Sequence, residues 1–263
     1  MTGFIRYLGG NCLSFLHYLG ELADLAYEVV LSIFIAPIRW RLFFIQLQEV
    51  GYRSQLVVIV TGGFTGAVFA AQTYFQFHRL GMDTAVGAVV AVSMFRELGP
   101  VLTGLMVSGR VGAAMSAEIG TMKVTEQIDA LRALGVYPID YLVVPRVLAM
   151  MLSMPLLVCE CVGIGIVAGY FVGVNMMDIP APYYLHYMEK FTGSRDIKMA
   201  LVKGFVFAIL IVIISCHQGL NAKEGAEGVG RAPTEAVVIS SLSILIINFF
   251  LSIILNIVFP LGG

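Results

Sequence analysis

The chain has 263 residues, of which 59% are hydrophobic and 13% charged, with a mean hydropathy of +0.89. Soluble domains are roughly half apolar and a quarter charged, so water is not the main solvent of this chain. A formal net charge of −1, without any cluster of Lys and Arg, excludes a nucleic-acid binder, because phosphate recognition depends on grouped cations that displace counterions. Uninterrupted apolar runs of about 20 residues, the length that crosses a hydrocarbon core, point to one membrane domain over the whole chain.

Residues 4 to 38 carry Leu16, Leu19, Leu22, Tyr27, Leu31 and Phe34 at near-helical spacing, interrupted by Glu21, Asp24 and Glu28 before Pro37. The pattern predicts an amphipathic helix lying at the membrane interface over 1–40, with a partly inserted hairpin as the alternative. Gly20, Glu21, Asp24 and Glu28 break any short apolar core of a signal peptide, so no cleavage is expected. Trp40, flanked by Arg39 and Arg41, is an aromatic anchor beside positive charge, as expected at a cytoplasmic headgroup layer.

The first predicted span is 56–77, where Gly62, Gly66 and Ala70 at four-residue spacing let another helix approach closely. The second is 84–115, and Gly104, Ser108, Gly112 and Ser116 repeat the device. Residues 116–135 turn polar: Glu118, Lys123, Glu126, Gln127, Asp129 and Arg132 stand against Ile119, Met122, Ile128, Leu131 and Leu134, which predicts a helix outside the hydrocarbon. The third span, 141–174, is too long for one upright crossing of a roughly 30 Å core, so it is tilted, kinked near Pro155 or extended beyond the membrane. Asp178 to Lys198 read as a polar loop around Pro180 and Pro182, followed by spans at 199–216 and 237–260 with a Gly-rich loop, Gly219 to Pro233, between them. The fold class is thus all-α: an integral membrane protein with an N-terminal interfacial helix, five transmembrane helices and a polar helix between the second and third.

Orientation follows from basic residues in the two sets of loops. With the N-terminus inside, the cytoplasmic set holds Arg6, Arg39, Arg41, Arg53, Arg110, Lys123, Arg132, Arg146, Lys223 and Arg231; the outer set holds only Arg79, Lys190, Arg195 and Lys198. The N-terminus and the 116–135 helix are therefore assigned to the cytoplasm and the C-terminus to the outside.

Arg96 and Glu97 fall midway along the second span, where an ionised group costs several kcal/mol unless paired or hydrated. Adjacent helical residues point about 100° apart, so their partners must come from other helices, and Lys203 and Glu160 are the candidates. Such a cluster is either an ionic lock between helices or a polar part of a substrate path, and the two are compatible. Pro100 removes a backbone donor one turn beyond Glu97 and leaves a carbonyl in need of another partner. The run Gly163-Ile164-Gly165-Ile166-Val167-Ala168 matches a dinucleotide fingerprint by letters but lies inside a span with no preceding strand. No GxxxxGK[ST] and no GxSxG occurs, His17, His78, His186 and His217 have no ligand spacing, and Cys159-Glu160-Cys161 lacks the two-residue gap of zinc or redox pairs. No catalytic residue and no metal or other cofactor is expected on the chain, and Cys12, Cys159, Cys161 and Cys216 read as structural thiols.

Several ordered stretches carry a resemblance. Arg96-Glu97-Leu98-Gly99-Pro100-Val101-Leu102, Gly109-Arg110-Val111-Gly112-Ala113-Ala114 and Glu118-Ile119-Gly120-Thr121-Met122 resemble the central signature of the MlaE/YrbE family of ABC transporter permeases. Val124-Thr125-Glu126-Gln127-Ile128-Asp129-Ala130-Leu131 and Pro145-Arg146 are similar to that family's coupling segment and the start of its next span, and Asn221 to Ala232 to its last cytoplasmic loop. The similarity covers roughly residues 40 to 260.

The resemblance implies a permease subunit of the bacterial inner membrane that is not itself an enzyme. It implies a second copy of the chain, two ABC ATPase subunits carrying ATP and Mg, and a periplasmic MCE-domain protein (MlaD-like), with phospholipid or a related lipid as cargo. Glu118, Lys123, Glu126, Gln127, Asp129 and Arg132 would then form the ATPase-coupling segment, and Arg96, Glu97, Lys203 and Glu160 would line or stabilise a lipid cavity. A proton-coupled secondary transporter using Glu97, Glu160 and Lys203 as a relay is the competing reading, and a structural membrane subunit without a conduit is another.

Overall fold

With no water in a hydrocarbon core to serve backbone N–H and C=O groups, long apolar runs are stable as helices that close their own hydrogen bonds. The computed structural model describes residues 2–35, 37, 39–223 and 225–259, and every regular element among them is a helix. Met1, Ala36, Ile38, Glu224 and residues 260–263 lie outside that description, as do the side chains of residues 2–9, 11, 12 and 15, Arg6 and Cys12 among them. In chain order the helices are α1 (Thr2–Ile35), α2 (Trp40–Val50), α3 (Gln55–His78), α4 (Asp83–Val124), α5 (Gln127–Ala133), α6 (Ile139–Met176), α7 (Ala181–Phe191), α8 (Ser194–Leu220) and α9 (Gly225–Val258). Among the described residues five segments are long and apolar enough to cross a membrane: α2 with α3, then α4, α6, α8 and α9. The chain is an all-α, multi-pass membrane protein.

Small residues decide how closely the bundle packs. A Cβ on Gly62 would stand 2.6 Å from the Cys161 carbonyl oxygen of α6, and one on Gly66 would stand 2.0 Å from that of Gly165. Only hydrogen at those positions lets the α3 and α6 backbones touch. Between α4 and α8, Gly112 faces Ser215 Oγ at 2.8 Å from its would-be Cβ, and Ser108 is fully buried. Gly104 is less critical, since its would-be Cβ meets Ile244 and Phe207 at 3.4 Å. The apolar window of α8 is 67% buried, whereas that of α9 is 11% buried and leaves Leu242, Ile246, Phe249 and Ile253 uncovered.

Three segments differ from the sequence expectation. The polar stretch 116–135 is not one helix: α4 runs on to Val124, the chain turns at Glu126 in the left-handed region (φ 58), and α5 restarts at Gln127. At 42 residues, α4 is about 60 Å long, twice the hydrocarbon thickness, so its polar end projects beyond the core. The expected loop 178–198 holds a helix, α7, whose Tyr184 is buried against Gly87 and Gly173; burial pushes its phenol up to about 12, so it packs as a neutral group. The expected loop Gly219–Pro233 is largely the start of α9, whose early turns are supported by an Arg231–Glu235 pair at 2.7 Å, four residues apart.

The N-terminal helix α1 lies against the end of the bundle where α8 finishes. Leu25 and Val29 are buried there, Gln218 donates to the Tyr18 hydroxyl at 3.2 Å, and His217 Nε2 lies 3.0 Å from the Glu21 carboxylate.

Candidate functional site

Arg96 and Glu97 stand on a π-helical turn of α4, Met94–Leu98, where the wider winding aims the two side chains at different neighbours. Glu97 Oε1 lies 3.0 Å from Lys203 Nζ on α8. Its Oε1 is 2.8 Å from Ser252 Oγ and its Oε2 accepts from Asn248 Nδ2 at 2.8 Å, both on α9. Lys203 is fully buried, while the Glu97 side chain is 44% exposed, so the pair is sealed on the lysine side and open on the carboxylate side.

Pro100 explains one further contact. Its ring nitrogen cannot donate to the carbonyl four residues earlier, that of Arg96. Lys203 Nζ donates to this oxygen at 2.5 Å and to Ser252 Oγ at 2.8 Å, so one ammonium serves a carbonyl, a hydroxyl and a carboxylate.

Arg96 turns the other way. Its Nε donates to Asp196 Oδ1 at 2.6 Å, and the buried Asp196 also accepts from the Gly193 backbone N–H at 3.0 Å through Oδ2. Asp196 therefore caps the start of α8, where the helix dipole favours a negative charge, while neutralising Arg96. Two cations and two carboxylates, Arg96, Lys203, Asp196 and Glu97, form a charge-balanced network across α4, α8 and α9. It contains no nucleophile poised beside a base, and no metal-binding group of three or more His, Cys, Asp or Glu occurs among the described residues. What it offers is electrostatic: fixed charges at membrane depth, with one carboxylate and part of one guanidinium reachable from outside.

Glu160 is not part of this network. It lies on the opposite side of the bundle, in a groove beside Phe44, Gln48, Gln55 and Leu156, because its position on α6 faces α2 rather than α8. The sequence reading also missed Asp196, Asn248 and Ser252. Asp196 was assigned to a loop, whereas it is the third residue of α8. Asn248, Ser252 and Asn256 recur every fourth residue in the last span, a polar stripe on one helical face that was a legible signal.

The polar end of α4 gathers the remaining candidates. Glu118 is drawn to Arg146 of α6, Oε2 to Nη2 2.7 Å, and Arg146 is buried and also donates to the Leu142 carbonyl. Lys123 lies 4.0 Å and Arg132 3.3 Å from Asp129, and Gln127 donates to Thr125 Oγ1 at 3.0 Å. Glu126 is exposed on its left-handed turn. These side chains surround α5 and face outward.

A family model described as Permease MlaE matches residues 43–254. A probable ABC transporter permease protein of Rickettsia felis is 45% identical over 249 residues, covering 93% of this chain and 95% of that protein. Another from Synechocystis is 43% identical over 225 residues, 86% of each. The Arabidopsis thaliana protein named TRIGALACTOSYLDIACYLGLYCEROL 1, chloroplastic, is 40% identical over 228 residues, covering 87% of this chain and 65% of that protein.

Proposed function

The chain belongs to the MlaE permease family, and on that premise we propose that it is the membrane subunit through which an ABC transporter moves phospholipid or a related lipid between the inner membrane and a periplasmic MCE-domain protein. The observation that carries this reading is the charge-balanced network held between α4, α8 and α9; a separate apolar groove of about 390 Å³ lies between α3 and α4. Phe64, Val68, Phe69 and Leu98 line the groove, and Leu98 is the neighbour of Glu97. Apolar walls suit acyl chains, and the reachable Arg96 and Glu97 suit a zwitterionic headgroup. The lipid named in the Arabidopsis relative is consistent with that class of cargo.

The chain supplies the path and separate ATPase subunits supply the energy. In this reading two copies enclose the lipid between their uncovered α3 and α9 faces. The α5 end, with Glu126, Gln127 and Asp129, lies in the cytoplasm against the ATPases, and α7 lies on the periplasmic side with the C-terminus. Because α4 runs unbroken from the α5 turn to Arg96, a pull at Val124 reaches the network along one helix. Its π-helical turns, Met94–Leu98 and Ser108–Gly112, are where that helix can rewind.

The test is reconstitution of the permease with its ATPase and MCE-domain partners in phosphatidylethanolamine–phosphatidylglycerol vesicles, following transfer of a labelled phospholipid. ATP-dependent transfer that falls at least tenfold in the double variant Glu97→Gln with Lys203→Met, which removes both charges together, with assembly intact, supports the reading. Transfer by the permease alone, driven by a proton gradient, would replace it with the secondary-transporter mechanism.

A further inference from the structure

Glu160 carries an inference independent of the transport path. It has no ion pair and no hydrogen bond among the described residues, although it sits just past the middle of an apolar membrane helix. It opens into a groove of about 730 Å³ between the α2–α3 elbow and α6, within the size range of small-molecule sites. The walls are Phe44, Leu47, Leu152, Leu156 and Leu157. Gln48, Tyr52 and Gln55 line its rim, and a buried polar group faces the same space: Ser153, 3% exposed, whose Oγ has no partner among the described residues. An unserved buried hydroxyl and an unserved carboxyl, two turns of α6 or roughly 10 Å apart along its axis, mark a place where a ligand supplies the missing hydrogen bonds.

The chemistry of the lining selects the ligand. Among the described residues Glu160 is the only carboxyl lining the groove and neither Lys nor Arg lines it, so a phosphate would meet a carboxylate and no cation. Access is from the bilayer. The 24 residues of α3 span about 36 Å, enough for the hydrocarbon core, which places α2 and Trp40 at its margin and the groove just inside it. We propose that this groove binds an uncharged, hydroxyl-bearing lipid of the diacylglycerol class, its hydroxyl donating to Glu160, an ester carbonyl accepting from Ser153, and one chain lying against Leu152 and Leu156. The site shares no residue with the Arg96–Glu97–Lys203 network, so it stands or falls separately from the transport reading.

The experiment uses the full-length permease in phosphatidylcholine vesicles doped with photoactivatable diacylglycerol, phosphatidylcholine or phosphatidic acid, followed by mapping of labelled peptides. Diacylglycerol should label segments 44–55 and 152–160 at least tenfold more than phosphatidic acid. Glu160→Leu, which suits a lipid-facing helix, should reduce that labelling by about tenfold, as expected for loss of one charged hydrogen bond. Leu156→Trp should reduce it by filling the groove while leaving Glu160 in place. Equal labelling by all three lipids, unchanged labelling in Glu160→Leu, or no labelling together with crosslinking between two copies at position 156 would each overturn the proposal.

Discussion

The two ends of α4 hold their charges in opposite ways. Around Arg96 and Glu97 every side-chain partner comes from another helix: Asp196 and Lys203 from α8, Asn248 and Ser252 from α9. Around α5 the pairs are local, Lys123 and Arg132 with Asp129, and all three side chains are at least a third exposed. Depth accounts for the difference. In hydrocarbon an unpaired ion is costly enough to dictate which helices meet, whereas in water the same ion is satisfied wherever it points. The inner network therefore specifies the bundle, and the outer one leaves its residues free to meet another protein.

The comparison is tested most severely at Glu97. Glu97→Gln leaves the fully buried Lys203 ammonium without its countercharge, and breaking a buried pair on one side costs about 3 kcal/mol. Heating the purified permease in detergent and following the folded fraction by size exclusion should show a large loss of stability. Glu97→Gln combined with Lys203→Met should recover most of it, because both charges are then gone. If the double variant is as unstable as the single, the pair does not hold the helices together.

The next effect is steric. Gly66→Ala places a methyl group where the Gly165 carbonyl already stands, and such overpacking costs roughly 1–3 kcal/mol. Gly163→Ala, on the same α6 but with nothing within 4 Å of its would-be Cβ, should be neutral or gain up to about 1 kcal/mol from helix propensity. Equal losses in the same heating assay would mean that α3 does not lie against α6 through Gly66.

What the sequence revealed follows the same division. Arg96, Glu97 and Lys203 stand out in apolar runs, so their need for partners was readable, and Lys203 could be named as a candidate. Which partner each would take depends on helix rotation, and that is where Glu160 misled: it is intramembrane and acidic, but faces α2. Asp196 was hidden because Pro180, Pro182 and several charges made 178–198 look like one loop, although the helix restarts at Ser194. The five spans were legible from composition, yet the break at Glu126 was not, since a left-handed turn without Gly or Asn leaves no local mark.

Glu118 lies between the two regimes. Its carboxylate is 57% exposed, but the Arg146 guanidinium it neutralises is 4% exposed. Glu118→Gln should cost about 1 kcal/mol, mostly by leaving a buried cation with a neutral partner. Arg146→Met should cost less, because the carboxylate it frees can hydrate. The reverse order in the heating assay would mean that Glu118 is the buried member of the pair.

Asp129→Asn should have the smallest effect on stability. Asp129 is 52% exposed, its closest cation is three residues away on the same short helix at 3.3 Å, and Lys123 stands at 4.0 Å. Exposed pairs of this kind are worth a few tenths of a kcal/mol and are screened by salt, so the melting midpoint should shift by no more than about 1 °C at 0.15 M salt. A readout of ATPase recruitment separates the two roles. If α5 is a docking element, the same variant should weaken co-purification of the ATPase, more at low salt than at high salt. Loss of stability in the isolated permease would instead place Asp129 among the charges that hold the fold together, and the contrast between the two ends of α4 would fail.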